Sequence, residues 1–215
     1  TIYLKGDWIN NGILTPNGGT VVLNGTSEQT IGGASTTTFR HLTFDKPSGG
    51  ITLATNTNVD DKLNLLGGIL TTGSNRILVG NSNDLGTITG GSPSSYINGR
   101  IERGVVNYNN AHGTNSELFF PVGKGGNYLP VYLNFSSLNS SSIVSVEQFE
   151  SGFHGTAPTG FSTPSRYWQI SLSGSTSYSA KVTLNGTGTS LQSTNQILRY
   201  SPSTTTALTT SFTSP

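Results

Sequence analysis

With 215 residues the chain has room for one large all-β unit or for two modules of about 100 residues each. Thr (31), Ser (29), Asn (20) and Gly (28) fill half of it, a composition of turn formers and short polar side chains that leaves little helix propensity. Charged residues are only 10%, and 11 Lys+Arg stand against 10 Asp+Glu with no run of either sign, so nucleic acid and an anionic membrane surface are poor partners and membrane insertion is not expected.

From the N-terminus, short apolar runs alternate with Gly, Asn, Ser and Thr: Val21-Val22-Leu23, Leu42-Thr43-Phe44, Ile51-Thr52-Leu53, Leu63-Asn64-Leu65, Ile69-Leu70 and Ile77-Leu78-Val79. Such runs read as short strands bounded by turns. Offsetting the chain by 56 places Gly12-Ile13-Leu14-Thr15 on Gly68-Ile69-Leu70-Thr71 and Val21-Val22-Leu23 on Ile77-Leu78-Val79, an internal repeat. Three coils of a β-solenoid, each of about 18 to 19 residues, fit that offset best. Residues 1–112 are therefore expected to form a right-handed parallel β-helix of about five coils, with Ile, Leu and Val stacked inside and Gly and Asn at corners. An ordinary antiparallel sandwich with many hairpins is the competing reading.

The segment from Tyr96 to Thr114 reads as a polar cap on the solenoid and a lead into the second half of the chain. Residues 113–215 have longer strands with clean alternation, as in Leu129, Val131, Leu133 and Phe135, in Trp168, Ile170 and Leu172, and in Tyr178, Ala180, Val182 and Leu184. Six strands, over 117–122, 128–136, 142–149, 166–173, 177–185 and 195–201, predict an antiparallel β-sandwich. The Ser/Thr tail after Ser201 either supplies a last strand or leaves that sandwich incomplete at its C-terminus.

The runs Gly6-Asp-Trp-Ile-Asn-Asn-Gly12, Thr20-Val-Val-Leu-Asn-Gly25, Gln29-Thr-Ile-Gly-Gly33, Phe39-Arg-His-Leu-Thr-Phe44 and Gly68-Ile-Leu-Thr71 resemble repeats in very large secreted surface proteins of Bacteroidota. Phe120-Pro-Val-Gly123, Tyr128-Leu-Pro-Val131 and Arg166-Tyr-Trp168 resemble the module that commonly follows them. The resemblance covers most of residues 1–200. It implies export by the type IX secretion route and display at the cell surface as a stalk, filament or adhesin, including the mobile adhesins of gliding. It implies neighbouring repeats of the same long chain as partners, and no enzyme. The C-terminal sorting domain of such cargo is not visible, which suits an internal fragment. No stretch approaches 18 apolar residues, and TIYLKGDW at the N-terminus lacks the basic and apolar regions of a signal peptide, as expected of a mature or excised piece.

Candidate chemistry is sparse. The absence of Cys removes disulfides, thiolate metal sites and Cys nucleophiles. Asp60-Asp61 is the only adjacent pair of acids, and neighbours on a strand point to opposite faces, so the two cannot flank one scissile bond unless the backbone kinks there. Together with Asp84 they could offer oxygen ligands to calcium, although the spacing matches no known loop; no other cofactor is expected. His41, His112 and His154 lie far apart in unrelated segments, without zinc spacing. Gly123-Lys-Gly-Gly126 lacks the spacing of a phosphate loop and reads as a hairpin turn.

The stretch from Glu150 to Ser165 is the longest irregular segment, and Phe153, His154 and Phe161 within it are candidate ligand contacts, with sugar rings stacking on the aromatics. Thr36-Thr37-Thr38 and Thr87-Ile-Thr89 suggest an ice-binding face, but Thr rows do not recur at a coil period. The expectation is thus a non-enzymatic structural or adhesive module. Its alternative is a glycan-binding module, or the noncatalytic part of a carbohydrate-active β-helix enzyme, with surface polysaccharide as partner.

Overall fold

A computed structural model describes residues 1–106, 117–151 and 166–184, together with the backbone of 198–201 and 204–207. Every regular element in it is a strand. The first ten are β1 (Ile2–Leu4), β2 (Trp8–Ile9), β3 (Thr20–Leu23), β4 (Gln29–Gly32), β5 (Thr37–Asp45), β6 (Ile51–Leu53), β7 (Thr57–Gly67), β8 (Leu70–Val79), β9 (Thr87–Gly90) and β10 (Ile97–Val105). Then come β11 (Leu118–Phe120), β12 (Gly123–Lys124), β13 (Asn127–Tyr128), β14 (Val131–Leu138), β15 (Ser142–Phe149), β16 (Tyr167–Ser173) and β17 (Tyr178–Leu184). A two-stranded ribbon, β18 (Leu198–Ser201) with β19 (Thr204–Ala207), is the last element.

The first ten strands wind as a parallel solenoid of about five turns with three strand stacks. Face A stacks β1, β3, the second part of β5, the second part of β7, and β9. Face B stacks β2, β4, β6, the start of β8 and the start of β10. Face C stacks the first parts of β5 and β7 with the ends of β8 and β10. Because every coil repeats the same inward positions, like side chains lie over one another. Leu4, Leu23, Phe44 and Leu65 form one row, and Ile2, Val21, Leu42, Leu63 and Ile88 the next. Leu23, Leu42, Phe44 and Leu63 are each 0% exposed, so each contributes close to its full burial free energy of about 1.5–3 kcal/mol.

Coil length is not constant. Along face A the step from Ile2 to Val21 is shorter than those from Val21 to Leu42 and from Leu42 to Leu63, and the step from Leu63 to Ile88 is longer than any of them. On face B the step from Leu70 to Ile97 is longer again. The repeat seen in the sequence is therefore not three equal coils: it lays Val21, on face A, over Ile77, on face C. The same Gly-bounded apolar pairs serve all three faces, so a self-alignment can match one face to another. The Thr rows are a second correction. Thr30, Thr52 and Thr71 are successive register partners on face B, at unequal offsets, although the Thr52 hydroxyl is donated to Glu28.

Two buried polar side chains of the core, Lys46 and Gln29, satisfy each other and the backbone around them. Lys46, 5% exposed, donates through Nζ to Gly25 O (2.8 Å), Ser27 O (2.7 Å) and Gln29 Oε1 (2.9 Å). Gln29, 0% exposed, also accepts from the Gly25 N–H and donates to Leu4 O and Gly6 O. One corner of three coils is thereby tied by two side chains.

The far end of the solenoid is covered by the same chain. Of the segment starting at Tyr96, β10 is the last strand of faces B and C, while 107–114 lies outside the described residues. At Gly99 (φ +130°) β10 shifts register, and a Cβ there would fall 2.0 Å from Thr72 Oγ1, so only glycine fits. On face B, Val122 adds to Ile97 as a further parallel partner. On face C, β15 pairs antiparallel with β10, and β16 with β15. A second antiparallel sheet, β11–β14–β17, contributes Leu118, Phe120, Val131, Leu133 and Leu138 to the same core cluster as the solenoid. Strands β12 and β13 make the hairpin expected at Gly123–Gly126, with positive φ at Gly125 and Gly126 as a tight two-residue turn requires. Face A alone ends without a further partner strand among those described, at β9.

Candidate functional site

That exposed end of face A forms one wall of a cleft of about 380 Å³, lined by Asp61, Asp84, the segment 85–88, Arg103 and residues 117–119. Each part is placed by a local irregularity of the solenoid. Between β5 and β7 the step from Phe39 to His41 faces the longer step from Val59 to Lys62, a bulge that contains Asp60 and Asp61. The backbone does kink at this pair, turning Asp61 into the cleft, whereas Asp60 is not in its lining. Asp61 Oδ2 lies 3.0 Å from His41 Nε2 and 3.0 Å from Arg40 Nη2. The hydrogen bond from His41, aided by the charge of Arg40 and opposed by burial, holds the Asp61 carboxyl below the usual carboxylate range.

Asp84 sits in the turn between β8 and β9, where Asn81 and Asp84 exchange backbone hydrogen bonds (2.7 and 3.2 Å) and Asp84 Oδ1 accepts the Gly86 N–H (3.1 Å). Gly104 closes against this turn: a Cβ there would meet Asn81 O at 1.8 Å. Arg103 forms the floor. It has the inward parity of Ile97 and Ile101 and continues the row Phe39, Val59, Val79, so a guanidinium occupies a core position. It is 5% exposed and donates to Phe119 O (3.2 Å), Leu85 O (3.2 Å) and Gly86 O (2.8 Å), tying the last coil to β11. Its Nε is buried with no acceptor, and no carboxylate lies within ion-pair distance among the described residues. Burial pushes its pKa down to about 10, which leaves it charged at neutral pH.

Two of the three carboxylates expected from the sequence as cation ligands, Asp61 and Asp84, thus share a cleft although they belong to different coils. Among the described residues no three His, Asp or Glu side chains converge so as to hold a metal ion. Phe153, His154 and Phe161, the expected ligand contacts, lie outside the described residues, as does His112. The ends of their segment are nonetheless tied together: Arg166 Nε and Nη2 grip both oxygens of Glu150 at 2.9–3.1 Å, and Gln148 donates to the same carboxylate at 2.9 Å. Beside them the rings of Phe149 and Tyr167 stack at 4.7 Å, with Lys124 Nζ 5.3 Å from the Phe149 ring.

Arg103 and Glu117 are cleft residues that sequence reasoning passed over. Arg103 carried a readable signal, a charge on the apolar parity of a strand; Glu117 carried none. Chemically the cleft offers carboxylate acceptors, a buried guanidinium and apolar surface from Leu85, Ile88 and Phe119. No protein-family model, curated protein or solved structure matches the chain, so the geometry itself must carry the functional reading.

Proposed function

We propose that the chain is a non-enzymatic structural and adhesive module of a large bacterial cell-surface protein. In this reading residues 1–112 are a right-handed solenoid and 113–215 an antiparallel sandwich, embedded among further repeats of a long filament or adhesin. Export through the type IX route, an extracellular place and a gliding-adhesin-like role follow from the resemblance in its repeats. The observation that carries the proposal is the continuity of one sheet. Face C runs from β5 through β10 and continues in the same sheet into β15 and β16, with the row Ile77, Ile101, Val146 bridging the junction. A rod whose successive coils are joined by ladders of backbone hydrogen bonds, each worth about 1 kcal/mol net, suits a spacer that resists extension.

The test has two arms. Pulling on the ends of the full chain should unfold solenoid and following sheets in one cooperative event; two well-separated events would remove the mechanical argument. Antibodies against the folded chain should label intact cells that produce it. Labelling that appears only after permeabilisation would overturn the surface assignment.

A further inference from the structure

The cleft at the end of face A combines features that a spacer does not need, and their chemistry is selective. An anionic ligand would face Asp61, Asp84 and Glu117 at once. A bare metal ion would find no convergent set of three ligands among the described residues, and a guanidinium in the floor. A neutral ligand rich in hydroxyl groups escapes both penalties. Its hydroxyls can donate to the Asp84 and Glu117 carboxylates, and charge-assisted bonds of that kind are the stronger ones. One of its oxygens can accept from the guanidinium of Arg103, which lines the cleft and commits its four Nη hydrogens to only three carbonyl bonds. Its C–H face can rest on Leu85, Ile88 and Phe119. A volume of about 380 Å³ is at the lower end of small-ligand sites, which span ~300–1,000 Å³.

We infer that this cleft is a binding site for a neutral sugar unit, with Asp84 and Glu117 as hydroxyl acceptors and Arg103 as the fixed donor at its floor. Asp61, already engaged by His41 and Arg40, is a positioning wall. The inference does not rest on the scaffold reading. Failure of surface labelling would leave sugar binding as measured, and an empty cleft would leave the spacer intact.

The test uses the full 215-residue chain on a printed array of neutral gluco-, manno-, galacto- and xylo-oligosaccharides, amino-sugar oligomers and uronate oligomers, followed by calorimetric titration of the best neutral binder. Replacing Arg103 would disturb the fold, since it ties three carbonyls, so the decisive variants are Asp84→Asn and Glu117→Gln. Each should weaken binding about tenfold or more, the loss expected for one hydrogen bond to a charged acceptor, with an unchanged melting temperature. EDTA should change nothing, and Phe153→Ala and Phe161→Ala should bind as the parent does. The inference is overturned by no neutral-glycan binding at about 1 mM, by binding confined to uronates, by binding that EDTA abolishes, or by binding that both carboxylate variants retain.

Discussion

Leu63 in the middle of the solenoid and Val182 on β17 both have the apolar parity of a strand, yet the first is 0% exposed and the second 46%. The difference follows from how each region repeats. In the solenoid every inward side chain lies between its counterparts in the coils before and after, Leu63 between Leu42 and Ile88, so burial comes from both neighbours. Strands β16 and β17 each have one described partner, β15 and β14, and the residues expected to face a closed core stay open: Ile170 is 37% exposed and Tyr178 51%. The first coil shows the same rule from the other side. With a neighbour on one side only, Ile2 remains 55% exposed although Val21, Leu42 and Leu63 in the same row are buried.

A truncation in each region should separate them by the widest margin. Phe44→Ala, removing a fully buried ring from the middle of a row, should cost about 3–5 kcal/mol, and Leu63→Ala about 2–5 kcal/mol, in denaturant unfolding. Val182→Ala should cost roughly 1 kcal/mol or less. Equal losses at Leu63 and Val182 would mean that β17 is as enclosed as the coils. Next in size is Lys46→Met, which keeps the aliphatic stem but leaves Gly25 O, Ser27 O and Gln29 Oε1 without their shared donor. Buried acceptors stripped of a partner cost roughly 1–3 kcal/mol. A Lys46→Met protein as stable as the parent would show that water can enter this corner.

How much of this could be read from the letters depends on the kind of periodicity. A period of two is local, and so the strand expected over 142–149 is Ser142–Phe149, and that over 177–185 is Tyr178–Leu184. The all-β class and the parallel coils were legible for the same reason, since apolar runs bounded by Gly and Asn survive any variation in loop length. The coil period was not. Coils that lengthen from the Ile2–Val21 step to the Leu70–Ile97 step blur any fixed offset. That drift hid the Thr30–Thr52–Thr71 row and produced a repeat length that joins different faces. The same variation concealed the approach of Asp61 to Asp84, which depends on a bulge in β7 and a turn after β8.

Acid should act on the two regions unequally. The Arg166 fork and the Gln148 amide hold Glu150 below its ordinary range despite an opposing effect of burial, and Asp61 is lowered likewise by His41. A carboxyl lowered on folding contributes stability above its unfolded value, about 4.3 for Glu, and loses it as pH falls through the lower folded value. The melting temperature should therefore drop as pH is taken below about 4, and Glu150→Gln should flatten that limb more than the neutral-pH baseline. A limb unchanged in Glu150→Gln would place the acid sensitivity in the solenoid instead.

Salt should have the smallest effect. The ion pairs Arg40–Asp61, Arg76–Glu102 and Arg166–Glu150 lie at or near the surface, where each is worth about 0–1 kcal/mol and is screened within a Debye length of about 10 Å at 0.1 M salt. The rows from Leu4 to Leu65 and from Val21 to Ile88 contain no charge to screen. Raising salt from low to near-molar concentration should thus move the melting temperature only slightly, and the residual shift should belong to Arg166–Glu150, the bidentate pair, and vanish in Arg166→Met. A large fall at high salt would contradict a solenoid held by apolar rows and backbone ladders, because neither responds to ionic screening.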